Sequence, residues 1–521
     1  KEKKPGTFHE AMQLFWLFAL LAGVINYGRL DDYLGPYLVA DLESGRLTDE
    51  EAYRYIHSLW TMIENRRTTV NGRIIVGGKG RKHPKEADVF LHIAMKVAKN
   101  CRYVEPQFTL RFDKETSEEI WDEALDALGA GATYPTLYND DVNVPAVMYG
   151  MRVDEKTAEQ YVPFGCTEFV IQGQSTGTPN ICINLLKLLT IYMNDGIDPI
   201  DGKRKSGPVP LKKLEEYQTF EEFYDGYKAL LDYYLDLSVK AQYHSYEVMN
   251  QHVSFLFTSL LTDDCIARGK ALLDGGVRYL GGTNETYGNI NTSDSLWVIR
   301  DLVFNQKKYT LRQLNDAMLA NFNGYEALRK DCLNCDKYGN DLETADTMAN
   351  DLYEFVAKGV RNRGIAIGMQ YFLIVISNNQ LNTEWGNRTA ASPDGRLSCM
   401  YMNPANNPQG GANKSGPTAM LNSLAKFDAK YHGGSVQNIK FSPSMFNENR
   451  AVIKSLFKTY FAKGGCHLMV TVVDKGVLED AVEHPENYPD LIVRVSGFSA
   501  VFVDLSPNIQ QELLSRVLYD K

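Results

Sequence analysis

The chain is poor in the residues that mark several common protein classes. Eight cysteines in 521 residues are too few for a disulfide scaffold. They stand at positions 101, 166, 182, 265, 332, 335, 399 and 466, and only Cys332 and Cys335 form a Cys-x-x-Cys pair. A structural zinc site needs four ligands, so without a second close pair these two read as ordinary thiols in a reducing cytosol. Basic residues are not in excess. Lys and Arg number 55 against 65 Asp and Glu, a formal net charge of −10, which argues against nucleic acid or an anionic membrane as the main partner. No apolar run is long enough to span a bilayer. The longest candidate, Leu14 to Ile25, is separated from Lys1–Lys4 by His9, Glu10 and Gln13 and lacks the small-x-small cleavage pattern of a secretory signal. The chain starts at Lys rather than Met, as a processed piece would. There is no repeat, no low-complexity tract, no metal motif, no P-loop and no Gly-x-Gly-x-x-Gly after a strand.

Hydrophobic residues make up 44% and charged residues 23%, as in a globular protein. The length suits about three domains or one large one. Phe8 to about Val24 is apolar nearly all round, which predicts a helix with protein on most sides. Leu47 to Arg66 predicts a helix capped by Thr48, and Ala87–Lys99, Glu118–Leu128 and Glu155–Tyr161 predict further helices. Arg73–Val76, closed by Gly77-Gly78, and the alternating Gln107–Phe112 predict strands. Such alternation favours an α/β fold with helices over a largely buried sheet. Two loops are rich in Gly, Pro and Asn, 198–210 and 382–417; the second is long enough to predict a functional cover. Near the end, His467–Asp474, Leu491–Val495 and Ala500–Leu505 read as strands. Ser506 and Pro507 then start a helix whose apolar face holds Ile509, Leu513, Leu514, Val517 and Leu518. The Ser496-Gly497 turn lies between runs so apolar that its tip is expected to be buried.

That tip reads Arg494-Val495-Ser496-Gly497-Phe498-Ser499-Ala500 and closely resembles the motif of glycyl radical enzymes. Gly165-Cys166-Thr167-Glu168 resembles the Gly-Cys-x-Glu loop that carries the thiyl-forming cysteine of the same enzymes, and the order, Cys before Gly, agrees. Flanking stretches match in kind: YGRLDDYLGPY (27–37), YNDD (138–141), PDGR (393–396), GPTA (416–419), KFSPSMF (440–446) and residues 484–506. Singly, each has a plain reading: a turn glycine, a buried thiol, a hydrogen-bonded carboxylate. Together they identify the chain as resembling the glycyl radical enzymes of pyruvate formate-lyase type over essentially its whole length.

The residue types suit the chemistry. A stable backbone radical needs a planar α-carbon delocalised into both peptide groups, and only glycine has no β-carbon to obstruct flattening. Burial protects it from water and oxygen. A thiol is soft and its hydrogen weakly held, so Cys166 can relay the radical from Gly497 to substrate. Glu168, two residues on, would project to the same side of an extended loop and act as general base, with a raised pKa in an apolar cavity. The resemblance implies a ten-stranded α/β barrel around these groups, formed by residues 1–395, and a glycine radical domain at 396–521 that opens as a unit. It implies no cofactor bound to this chain beyond the radical on Gly497. The S-adenosylmethionine and iron–sulfur cluster belong to a separate activating enzyme. It also implies a cytoplasmic homodimer of anaerobic metabolism, and that the N-terminal part of the usual family chain, upstream of a segment like residues 1–40, is absent from this sequence.

Within the family, Thr167 stands where pyruvate formate-lyases carry a second cysteine, which disfavours acyl transfer. The four-cysteine zinc module of anaerobic ribonucleotide reductases is missing, since only Cys399 and Cys466 lie near the glycine loop. The Gly-Cys-x-Glu members remain, and most are eliminases. Radical dehydration, or a related C–O, C–N or C–S elimination on a small diol or hydroxy compound, is therefore expected, with decarboxylation as the alternative and an inactive scaffold as the non-enzyme one. Phe169 departs from the proline common after this glutamate in dehydratases, and residues 281–296 depart from the family's Gly-rich text. Gln172, Gln174 and Asn284 are candidate substrate contacts, against the plainer reading that they satisfy loop backbone.

Overall fold

The computed structural model describes residues 3–24, 26–67, 72–177, 180–377 and 380–520. Strands β1 (Gly28–Arg29), β2 (Arg73–Gly77), β3 (Gln107–Phe112) and β4 (Thr136–Asn139) are successive parallel neighbours. Parallel neighbours need crossovers, and helices such as Asp49–Asn65, Pro84–Asn100 and Glu118–Gly129 supply them. Thr48 closes a full capping box with Glu51, and Ser117 caps the third of these helices. The chain then makes an antiparallel hairpin, β5 (Tyr161–Phe164) and β6 (Glu168–Ile171). A second sheet follows, built from β7 (Asn180–Asn184), β8 (Gly281–Tyr287), β9 (Tyr371–Ile376) and β10 (His432–Ser435), all parallel. After β10 the chain returns to the first sheet as β11 (Asn438–Phe441) and β12 (His467–Val472), with β12 antiparallel to β4. A last antiparallel hairpin joins β13 (Ile492–Arg494) to β14 (Ser499–Val501).

The two sheets thus hold six and four strands, in the orders β1-β2-β3-β4-β12-β11 and β10-β9-β8-β7. Among the described residues no ladder joins them, so the ten strands are two sheets rather than one hydrogen-bonded ring. The alternation of β3 is real, but both of its faces are buried. Phe108, Leu110 and Phe112 belong to the apolar core, while Gln107, Thr109 and Arg111 bond to one another's neighbours in a polar interior.

Several expectations change. The first helix runs Phe8–Leu21 and is not enclosed: Leu14 is 55% and Leu21 79% exposed, because only the face with Phe8, Ala11, Met12 and Ala19 meets the core. The helix expected over 155–161 ends at Ala158, and Tyr161 already pairs with Ile171. Ser506 precedes the helix Pro507–Ser515 without a side-chain cap. The segment from 396 onward is woven into both sheets through β10, β11 and β12. Opening it as a single unit would break two ladders. The part with an apolar cluster of its own is smaller, from Val473 to Leu513 around the β13–β14 hairpin. No helix among the described residues is long and apolar enough to cross a membrane.

Candidate active site

Two hairpin tips meet between the sheets. Gly165, Cys166 and Thr167 form the tip of β5–β6, and Val495 to Phe498 the tip of β13–β14. Both are buried: Cys166 is 9% exposed, Thr167 1%, Ser496 nil and Phe498 8%. They touch so closely that a β-carbon placed on Gly497 would lie 2.6 Å from Cys166 Sγ and 2.7 Å from its Cα. Any other residue at 497 would collide with the thiol it faces.

Each tip is held from below. Arg73 on β2 is fully buried and donates to the Gly165 carbonyl (2.8 Å), to Gln107 Oε1 (2.8 Å) and to Thr109 Oγ1 (2.8 Å). Arg111 and Asp140 form a buried pair, and Arg111 also donates to the Tyr161 carbonyl while Tyr161 Oη donates to Asp140. Arg29 donates to the carbonyls of Gly77 and Lys79, and Asp31 accepts from the Gly77 N–H. The YGRLDD and YNDD stretches therefore moor β5 to the ends of β2 and β3. On the other tip Arg494 donates to Tyr134 Oη (3.2 Å) and Ser499 Oγ (3.3 Å), and Ser499 donates to Thr133.

Glu168 comes to the thiol by a turn rather than by extended alternation. Thr167 takes φ +94°, its N–H returns to the Phe164 carbonyl, and Glu168 opens β6 opposite Phe164. Glu168 is 3% exposed; Oε1 accepts from Asn180 Nδ2 (3.0 Å), and no side chain among the described residues donates to Oε2. The second hydrogen of the same amide goes to Glu285 Oε1 (2.7 Å), so Asn180 bridges two carboxylates. Glu285 Oε2 accepts from Tyr287 Oη (2.5 Å) and Ser377 Oγ (3.0 Å). Burial and then the neighbouring Glu285 charge push the Glu168 carboxyl well above its ordinary range. Burial, with Glu168 and Glu285 adding to it, also pushes the Cys166 thiol far up, so it keeps its hydrogen at neutral pH. His467 stays neutral because it is buried near Arg73 and Arg494.

Of the residues singled out from sequence, Cys166, Glu168 and Gly497 come together, and the three proposed contacts do not. Asn284 points to the outer face of β8 and donates to Ser238 Oγ (2.8 Å), because its neighbours Thr283 and Glu285 take the inner face. Gln172 is exposed beside Gly28, and Gln174 accepts from Arg278, both at the far end of the β5–β6 hairpin. Asn180 and Glu285, which the sequence alone does not single out, stand beside Glu168 instead. A signal for Glu285 existed: it is the one charged residue in the stretch 281–293.

Comparison with known proteins agrees with this geometry. Residues 1–381 match the family model described as pyruvate formate lyase-like, and residues 402–503 match the one described as glycine radical. The chain belongs to the pyruvate formate lyase-like family of glycyl radical enzymes. Its cofactor is a radical borne by its own backbone, generated in this family by a separate S-adenosylmethionine-dependent activase. Its relatives include dehydratases, isethionate sulfite-lyases and 4-hydroxyphenylacetate decarboxylase glycyl radical subunits. It is 28% identical to the trans-4-hydroxy-L-proline dehydratase of Clostridioides difficile, over 98% of this chain and 68% of that protein. It superposes with a TM-score of 0.91 on the glycerol-bound B12-independent glycerol dehydratase of Clostridium butyricum, at 28% identity, covering all of this chain and 68% of that one. The Roseburia inulinivorans enzyme of 1,2-propanediol dehydration gives a TM-score of 0.90 at 28% identity, over 98% and 68% of the two chains.

Proposed function

We propose that this chain dehydrates a small polar hydroxy compound such as a diol, with Gly497 carrying the radical, Cys166 relaying it and Glu168 moving the proton. The carrying observation is that the Gly497 backbone packs against Cys166, so closely that a β-carbon at 497 would lie 2.6 Å from Sγ. The Gly497 radical takes the hydrogen atom of the Cys166 thiol, and the thiyl takes one from a substrate carbon that bears a hydroxyl. A hydroxyl beside a carbon radical is far more acidic than before. Glu168 takes up its proton and supplies one to the neighbouring hydroxyl, whose C–O bond breaks with its electron pair on oxygen to release water. The product radical regains a hydrogen from Cys166. Elimination is favoured over acyl transfer because Thr167, not a second thiol, follows Cys166. It is favoured over decarboxylation by the likeness to dehydratases of hydroxyproline, glycerol and 1,2-propanediol.

In this reading the ten strands of the two sheets act as the staves of one barrel-like wall around the two tips; residues 1–395 supply seven of them, and residues 396–521, the glycine radical part, supply β10, β11 and β12 together with the glycine hairpin. The setting is a reducing, oxygen-free cytoplasm, which suits eight free cysteines. The homodimer follows from the family resemblance and is tested by sedimentation of anaerobic protein. The function is tested by anaerobic treatment with a radical S-adenosylmethionine activase, detection of a glycyl doublet by electron paramagnetic resonance, and a screen of diols, amino alcohols, hydroxy-sulfonates and arylacetates. A doublet with turnover of a hydroxy compound is expected; a silent spectrum with a competent activase overturns it.

A further inference from the structure

The two carboxylates bridged by Asn180 are not equivalent. Glu285 is saturated with donors: the Asn180 amide on Oε1, and the Tyr287 and Ser377 hydroxyls on Oε2. Cys182 on β7 offers it a further hydrogen bond. Such a set fits an ionised carboxylate, since a proton on either oxygen would displace a donor. Glu168 has one side-chain donor, Asn180, besides its own backbone N–H, and no side chain among the described residues donates to its buried Oε2. A bare anionic oxygen in that position would carry the full cost of desolvation. The charged and titratable groups facing Glu168 are Glu285, Cys166, Cys182, Tyr138 and Arg73. Arg73 is the cation among them, and its bonded nitrogens are directed at Gly165, Gln107 and Thr109 rather than at Glu168.

We propose that Glu285 is a positioning residue that keeps a proton on Glu168, so that Glu168 first gives this proton to the departing hydroxyl and then takes the proton of the neighbouring one. This rests on the dehydratase reading above and deepens it. The sequence balances: the C–O bond breaks with its electron pair on oxygen, the Glu168 proton completes water, and the remaining enol radical cation returns a proton to the Glu168 carboxylate. A carbonyl-bearing radical is left and Glu168 ends as it began. The fixed negative charge of Glu285 also favours the positive charge that develops on the substrate between the two transfers.

The test needs no radical. Infrared spectra of the unactivated protein in heavy water, taken as differences against Glu168→Gln, read the carbonyl stretch of a buried carboxylic acid. A band present at pH 7 in the parent protein is expected. Glu285→Gln moves its titration midpoint down by about one pH unit or more. Asn180→Ala, which takes the shared donor from both carboxylates, moves the midpoint up. Absence of the band at pH 7, or an unchanged midpoint in both variants, overturns the proposal. Failure of the dehydratase reading shows separately, as a missing glycyl doublet or no turnover in the activated protein.

Discussion

The carbonyl oxygen of Thr167 lies 2.2 Å from where a β-carbon on Gly434 would sit, too close for both to be present. Gly434, with φ 139°, is therefore the residue of β10 that lets the cysteine tip sit against the second sheet. Gly434→Ala is expected to displace Thr167 and Cys166, leaving a folded protein that accepts the radical poorly. Comparison of the glycyl doublet per chain with the parent protein checks this, and an undiminished doublet with full turnover contradicts it.

Gly497→Ala is expected to abolish the doublet, because a β-carbon obstructs flattening of the radical centre and meets Cys166 Sγ at 2.6 Å. A thermal melt near that of the parent would show that the body of the protein survives. In the parent, air exposure after activation should cut the chain at Gly497, and mass spectrometry should find the shortened C-terminus. An intact chain after loss of a verified doublet would count against Gly497 as the radical site.

The buried pair Arg111–Asp140 is expected to hold the cysteine hairpin in place, with both side chains at nil exposure. Asp140→Ala leaves a buried cation without its counter-charge, a loss of about 3–5 kcal/mol. Chemical denaturation measures it; a change below 1 kcal/mol, about the size of a surface pair, would refute the assignment.

The raised carboxyl of Glu168 has a defined effect on stability. Its folded pKa, raised to about 8, lies above its unfolded value. The folded state thus binds the proton more tightly. Stability is fully present below the ordinary glutamate pKa of about 4.3, is lost as pH rises toward 8, and is level above that. Glu168→Gln should remove this decline, so its advantage over the parent should grow across that window, reaching on the order of a few kcal/mol. Parallel melts across the pH range would show the decline unchanged if Glu168 were not its source.

Activation requires the glycine tip to reach another protein. Since β10, β11 and β12 are woven into the sheets, the expected mobile unit is the smaller body around Val473–Leu513. Hydrogen exchange with the activase present should rise in β13 and β14 while β11 and β12 stay protected. Equal exposure of β12 would favour opening of the whole segment from residue 396.

Much of this protein is legible along the chain. Thr48 with Glu51, Ser117 and the alternation of Gln107–Phe112 mark their elements through local hydrogen bonds and periodicity, which need no tertiary partner. The paired tips around Cys166 and Gly497 are legible because the chemistry demands those residue types and tolerates few others. The sequence by itself thus determined many of the elements, their α/β order and the two tips that bring Cys166, Glu168 and Gly497 together. Only the tertiary structure decided which polar residues face them. Asn284 and Glu285 are adjacent on β8, and strand alternation sends one to Ser238 and the other to the site. Which parity faces inward depends on what covers each face of the sheet, a long-range fact that no local window contains. The same holds for Leu14 and Leu21, apolar in composition yet left at the surface, because burial is a property of neighbours rather than of the residue.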